Sequence, residues 1–314
     1  MRMITRSVAL FALGLAFAAC DSEDDGAGAD GGADTDADTD TDADTDSDSD
    51  ETLAGELTLM ESSMLGSQSS SLRGVVGEGG FRVWLQETMS EGDCRLLEFV
   101  SATCEEFCEG VCVDENVCEP WPTFADMGTL TVTGAATDIV AEPENYGFLG
   151  DNNYAWYGSV ADLFDDGDSI TATFEGGEQP GFTVSAAGVE PLVLTSVADD
   201  EIALPNGQDT AFEWAAGSGD ARVRVTLNAN SSGGHGSPYE AIIECDTADT
   251  GSLIIPRALV ESFPETYRWD VCAGKDCPLS TAVRYRRGSV EIAGGPVELR
   301  VGSSVEFFIL HDLP

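Results

Sequence analysis

Asp249-Thr250-Gly251-Ser252 is the stretch of this sequence best suited to catalysis. A carboxylate on a tight glycine turn, set against a second such turn, shares one proton between two acids and activates a water. The sequence holds one D-T-G string, so this chemistry would need a dimer, with Asp249 supplied by each copy. The competing reading is an ordinary turn between strands, since Asp, Thr and Gly all favour turns. A second acidic stretch, "DLFDDGDS", gathers Asp162, Asp165, Asp166 and Asp168 around Gly167. Oxygen ligands so close in sequence could wrap a calcium ion, or they could simply form an exposed hairpin turn. Histidine is scarce: His235 stands in "SSGGHGSPYE" and His311 in "ILHDLP". Neither H-E-x-x-H, G-x-S-x-G nor a P-loop occurs. Tyr146, Phe148, Tyr154, Trp156 and Tyr157 in "ENYGFLGDNNYAWYGS" could stack a sugar, or fill a strand core with a tyrosine edge.

The D-T-G-S string resembles the motif of aspartic peptidases, and of the dimeric, retroviral-type ones in particular. Ile292-Ala293-Gly294 would stand for the supporting apolar-apolar-Gly segment of that family. Two departures weaken the likeness. Asp246-Thr247-Ala248 precedes the motif where the family places mostly apolar residues, and Leu253 follows it where a small or polar residue is usual. The turn is therefore the preferred reading.

Cysteine carries more information. Of nine, Cys20 ends an apolar run, leaving eight for pairing: Cys94, Cys104, Cys108, Cys112 and Cys118, then Cys245, Cys272 and Cys277. The first five are spaced C-x9-C-x3-C-x3-C-x5-C, without the paired C-x2-C knuckles of common zinc sites. An even count in an exported chain favours four disulfides. A boundary near Pro191 would put five cysteines before it and three after, both odd, so complete pairing needs at least one bridge across that boundary. The simplest scheme closes Cys272 on Cys277 and sends Cys245 to the earlier group. A Cys245–Cys272 bridge, or a free buried Cys245, stays open.

Export is read from the other end of the chain. Arg2 and Arg6 precede an apolar run from Val8 to Ala18, too short for a spanning helix but suited to a secretory signal. Leu15-Ala16-Phe17-Ala18-Ala19-Cys20 resembles the lipobox of bacterial lipoproteins, which implies a signal at residues 1–19 and lipidation of Cys20. Residues 20–51 form the expected tether. Residues 21–51 hold 15 acids and no base, with Asp at every even position from Asp34 to Asp50. Such a segment buries too little apolar area to offset its ordering entropy. Like charges extend it, to roughly 100 Å at most.

The elements that must position these residues are strands. Residues 52–314 carry 43 acidic against 12 basic residues, a net charge of −31 with Lys275 as the only lysine. That excludes nucleic acid as a partner. Apolar residues alternate in short runs between Gly-rich turns. Examples are Phe81, Val83 and Leu85; Leu130 and Val132; Ile170, Ala172 and Phe174; Val223, Val225 and Leu227; Val297, Leu299 and Val301; and Val305, Phe307 and Ile309. Period two with turn signals predicts an all-β chain. We expect two β-sandwich domains, immunoglobulin-like only in the general sense, at residues 52–190 and 191–314. The first carries the Cys-rich insertion at residues 94–118. One helix is expected between Pro256 and Pro264 over "RALVESF".

The tether, the insertion before "GTLTVTG" and the string "IIECDTADTGSLIIP" together resemble Gram-negative bacterial surface lipoproteins with β-sandwich domains. The resemblance implies an outer-membrane lipoprotein at the cell surface, held to the membrane by its lipid; a periplasmic face or the inner membrane stays open, since Asp21 follows the lipid cysteine. It implies no catalytic residue and no cofactor. The function expected is binding or structural, with a protein or glycan ligand. The alternatives are a dimeric peptidase using Asp249 and a carbohydrate- or calcium-binding adhesion module. One consequence follows from charge alone. The melting temperature should rise between low and molar NaCl, as salt screens self-repulsion in the folded chain; a flat or falling curve in a thermal melt would refute it.

Overall fold

The computed structural model describes residues 53–64, 66–77, 85–99, 102–104, 108, 110–120, 123–145, 151–229, 241–264, 266 and 279–311. Cys20 and the tether, Phe81 and Val83, Tyr146, Phe148, His235, Cys272 and Cys277 lie outside these residues.

The described chain is nearly all strand, as the alternation predicts. Its first half gives β1 (Gly55–Met64), β2 (Ser67–Val76), β3 (Leu85–Glu91), β4 (Cys94–Phe99), β5 (Gly110–Asp114), β6 (Val117–Pro120), β7 (Leu130–Thr133) and β8 (Ile139–Ala141). β9 (Tyr154–Gly158), β10 (Ser169–Phe174) and β11 (Thr183–Ala187) follow. The second half gives β12 (Glu201–Ala203), β13 (Thr210–Glu213), β14 (Arg222–Asn228), β15 (Ala241–Ala248), β16 (Ser252–Ile255), α1 (Arg257–Ser262), β17 (Ser280–Ile292) and β18 (Gly295–Leu310). The helix forms where Pro256 and Pro264 bracket it, burying Leu259 and Val260.

A ten-stranded sheet runs β3-β4-β15-β14-β17-β18-β1-β2-β9, with β12 added alongside β18. A four-stranded sheet, β11-β10-β7-β8, and the pairs β13-β16 and β5-β6 complete the described architecture. The large sheet is continuous across Pro191. β1 lies parallel to β18, pairing Gly55 with Val297 through Met64 with Glu306. β4 lies antiparallel to β15, pairing Cys94 with Cys245.

Two hydrophobic cores nevertheless exist. One joins Leu57, Leu59, Leu72, Leu130, Ile170 and Phe174. The other joins Phe212, Trp214, Val223, Val225, Leu259 and Phe263. β18 is long enough to serve both, at about 3.3 Å per residue. Its first half gives Val297, Leu299 and Val301 to one core, and its second half gives Phe307 and Ile309 to the other. The sequence shows two separate alternating runs there; the structure makes them one strand, because "GSS" between them keeps the period of two. The small sheet approaches the large one closely at Gly288, where a Cβ would stand 1.8 Å from the Ser185 carbonyl.

Cys94 and Cys245 are disulfide-bonded across β4 and β15, 151 residues apart in sequence and both buried. This is a bridge between the two sequence halves, and it occupies Cys245, which is therefore not a free thiol. Cys104–Cys112 and Cys108–Cys118 close locally on the β5-β6 hairpin. Closing so long a loop restricts the unfolded chain. Replacing both Cys94 and Cys245 by Ala is expected to lower stability by about 2–4 kcal/mol. Denaturant titration of that variant, with a Cys94–Cys245 cross-linked peptide in the non-reducing map of the parent, checks both parts; a map lacking that peptide would refute the pairing.

Candidate functional site

Asp249 lies at the end of β15 in a turn, as its composition suggests, but it is not a bland turn residue. Its carboxylate is buried and fully engaged. Arg284 donates from Nε to Oδ2 at 2.7 Å, the main-chain N–H of Gly217 donates to Oδ2 at 3.0 Å, and the Trp214 indole donates to Oδ1 at 2.5 Å. Both side chains of the ion pair are only 2% exposed. Arg284 spends its remaining donors on carbonyls of Pro191 at 2.8 Å, Glu190 at 3.3 Å and Ala215. The catalytic reading of Asp249 needs an oxygen facing a water and a second carboxylate; here Trp214, Gly217 and Arg284 occupy both oxygens.

Sequence reasoning missed Arg284, although a signal was present. In "STAVRYRRG" it shares parity with Ala282, which faces the second core. A charged residue at an apolar-facing position of a strand calls for a buried partner.

The acidic turn is also engaged in protein contacts. Asp166 accepts from Ser218 Oγ at 2.6 Å and from Arg286 Nη1 at 2.8 Å. Those two partners, Ser218 first, hold its carboxyl below the usual carboxylate range. Asp168 accepts the Asp165 main-chain N–H at 2.9 Å and so closes the turn. Among the described residues, three potential metal-ligating side chains come within 4.8 Å only at Cys104, Cys108 and Cys112, and these sulfurs lie in two disulfides. Asp162, Asp165, Asp166 and Asp168 do not converge on one point.

Strand alternation splits the described aromatics. Tyr154 is buried, its hydroxyl accepting the Met127 N–H at 2.9 Å and donating to Gly128 O at 3.0 Å. Burial, foremost, pushes its phenol up to about 12. Tyr157 faces outward, 60% exposed, with Arg73 5.6 Å from its ring centre. His311 is fully buried between the carbonyls of Leu204 and Phe263.

The opposite face of the large sheet carries a charged network. Asp246 takes Arg222 Nε and Arg224 Nε, each at 2.7 Å, and the Tyr285 hydroxyl at 2.6 Å. Burial pushes its carboxyl up, but Arg224, Tyr285 and Arg222 outweigh burial and hold it low. Arg224 and Arg300 both lie within 6 Å of the Tyr285 ring centre.

A further feature among the described residues is a shallow cleft of about 220 Å³, open to solvent, where the two cores meet. The β1-β2 hairpin supplies Glu61, Ser63 and Gln68, the chain after β9 supplies Val160 and Asp162, and the linker at Pro191 supplies Leu192 and Val193. Ser303 of β18 forms part of the floor, its hydroxyl held by the Leu192 N–H at 3.0 Å. Glu61 Oε1 accepts the main-chain N–H groups of Leu163 and Phe164. Burial raises its carboxyl above the usual range; those N–H groups oppose the rise, and the neighbouring charges of Asp162 and Asp165 add to it.

Comparison with protein-family models, with curated proteins and with solved structures gives no match. The described residues form an all-β fold with a buried ion-pair latch at Arg284–Asp249 and a cleft of mixed polarity at a seam.

Replacing Asp249 by Asn should leave Arg284 buried without its counter-charge and destabilise the fold by about 3–5 kcal/mol. A plain turn residue would tolerate the change within about 0.5 kcal/mol. A urea titration separates the two outcomes.

Proposed function

We propose that this chain is a lipid-anchored outer-membrane protein whose β-sheet body, held away from the bilayer on the acidic tether, acts by binding rather than by catalysis. The observation that carries the non-catalytic part is the closure of Asp249. The one residue with a catalytic resemblance gives both carboxylate oxygens to Trp214, Gly217 and Arg284. The exported part is supported by three disulfides, which persist in oxidising compartments. Among the described residues no helix is long and apolar enough to cross a membrane. Attachment in this reading rests on the ending of the apolar run at Cys20, where two signals, lipid and acyl amine, would anchor stably.

The seam cleft supports a binding role. It combines a half-buried carboxylate, hydroxyls and an apolar wall in one recess, the mixture of a few polar groups on an apolar lining that small-ligand sites use. The calcium alternative loses support from the dispersal of the four aspartates, and the sugar-platform alternative from the division of Tyr154 and Tyr157 between core and surface.

Replacing Cys20 by Ser is expected to move the protein from the membrane to the soluble fraction, and protease added to intact cells should remove the anchored parent. Detergent-dependent association that persists in the variant would refute lipid anchoring; survival of the parent in shaved cells would place it away from the surface.

A further inference from the structure

We propose that the seam cleft binds a primary alkylammonium group, seating the cation on Glu61 and Asp162 and its alkyl chain on Leu192 and Val193. The proposal rests on the binding reading above and names the ligand class of that cleft.

The carboxylate of Glu61 is already oriented. Its Oε1 is fixed by the main-chain N–H groups of Leu163 and Phe164, while its Oε2 takes no hydrogen bond from the described residues. Asp162, held at a φ of 54° on the exposed rim, has a carboxylate without a hydrogen-bond or ion-pair partner among the described residues. None of the described arginines pairs with either residue; their salt bridges run to Glu56, Glu87, Asp166, Asp220, Glu244, Asp246, Asp249, Glu261 and Glu298. A half-buried charge with no counter-charge is costly, and the raised carboxyl of Glu61 reports that cost. A bound cation would remove it.

The lining selects the kind of cation. A hard metal ion takes six to eight oxygens, and no carboxylate trio among the described residues lies within 4.8 Å. An ammonium group has three donors and no acceptor, which suits two carboxylates and the hydroxyl of Ser63. The wall beside them is apolar, and Val193 there is 56% exposed. A bare cation gains nothing from that wall, whereas an alkyl chain does. The shared chemistry is that of a small alkylamine and of a lysine side chain.

The test is a ligand-observed NMR titration of the full chain at constant ionic strength, with n-butylamine, Nα-acetyl-lysine amide and tetramethylammonium. The first two should bind saturably at one site. Tetramethylammonium has the same charge without N–H donors and should bind about tenfold more weakly or worse. Glu61→Gln keeps an oxygen for Leu163 and Phe164 and should lose about tenfold in affinity. Asp162→Asn, on an exposed turn that Asn also tolerates, should lose several-fold. Tighter binding of the lysine amide than of n-butylamine would assign the site to a peptide lysine, and equal binding to small amines; both support the proposal. Equal binding of tetramethylammonium, or affinities unchanged in both variants, would overturn it by reducing the effect to diffuse attraction toward an acidic surface. Binding is read on the Cys20→Ser chain as well as the anchored one, so failure of the ligand and failure of the anchor are separate results.

Discussion

Arg284 and Asp249 meet where four pieces of chain converge, beside the main-chain bonds that join Ala215 to Val193 and Trp214 to Gly251. β17 supplies the guanidinium and the turn after β15 the carboxylate. The linker at Glu190 and Pro191 and the segment from Trp214 to Gly217 supply the carbonyls, N–H and indole that satisfy what remains. Burying two charges is expensive, and a hydrophobic replacement of the whole group could be equally stable. What the pair contributes is position. A guanidinium offers five donors in a fixed plane, so it accepts only one arrangement of its neighbours. The linker that joins the two cores is thereby held at a defined place, and the cleft wall formed by Leu192 and Val193 is held with it.

The same logic explains the distribution of positive charge. The chain has 13 arginines and one lysine. Arg95, Arg222, Arg224, Arg286 and Arg300 are all partly buried and paired with carboxylates. Arginine suits such sites because its fork matches carboxylate geometry and its planar face can lie on an aromatic ring. Tyr285 receives two such guanidiniums and passes a hydrogen bond to Asp246. These five arginines are thus drawn into the sheet and organise it.

The seam itself follows from β18. One strand crosses both cores, and between Val301 and Val305 its core-facing position is Ser303. Glu61 is paired with Ser303 on the neighbouring strand and carries the polarity across β1. A polar band between two apolar regions prevents the cores from merging and leaves a cleft above it. The β1-β2 hairpin bounds the seam on one side, and the disulfide between Cys94 and Cys245 ties β4 to β15 farther along the same sheet.

Period-two alternation was enough to identify the strands of the most regular runs. Val223, Val225 and Leu227 lie in the core as their spacing requires, as do Val297, Leu299 and Val301, because side-chain direction in a strand depends only on parity. Pro256 and Pro264 marked the helix for an equally local reason. Cysteine parity required a link between the halves if every cysteine pairs within the chain, but only register showed that Cys94 faces Cys245. Pairing across 151 residues is invisible to local pattern. Asp249 and Glu61 were misjudged or overlooked for the same reason. Whether a carboxylate is free, paired or half-buried depends on groups brought to it from 35 or 100 residues away, and those distances are closed only by the tertiary fold.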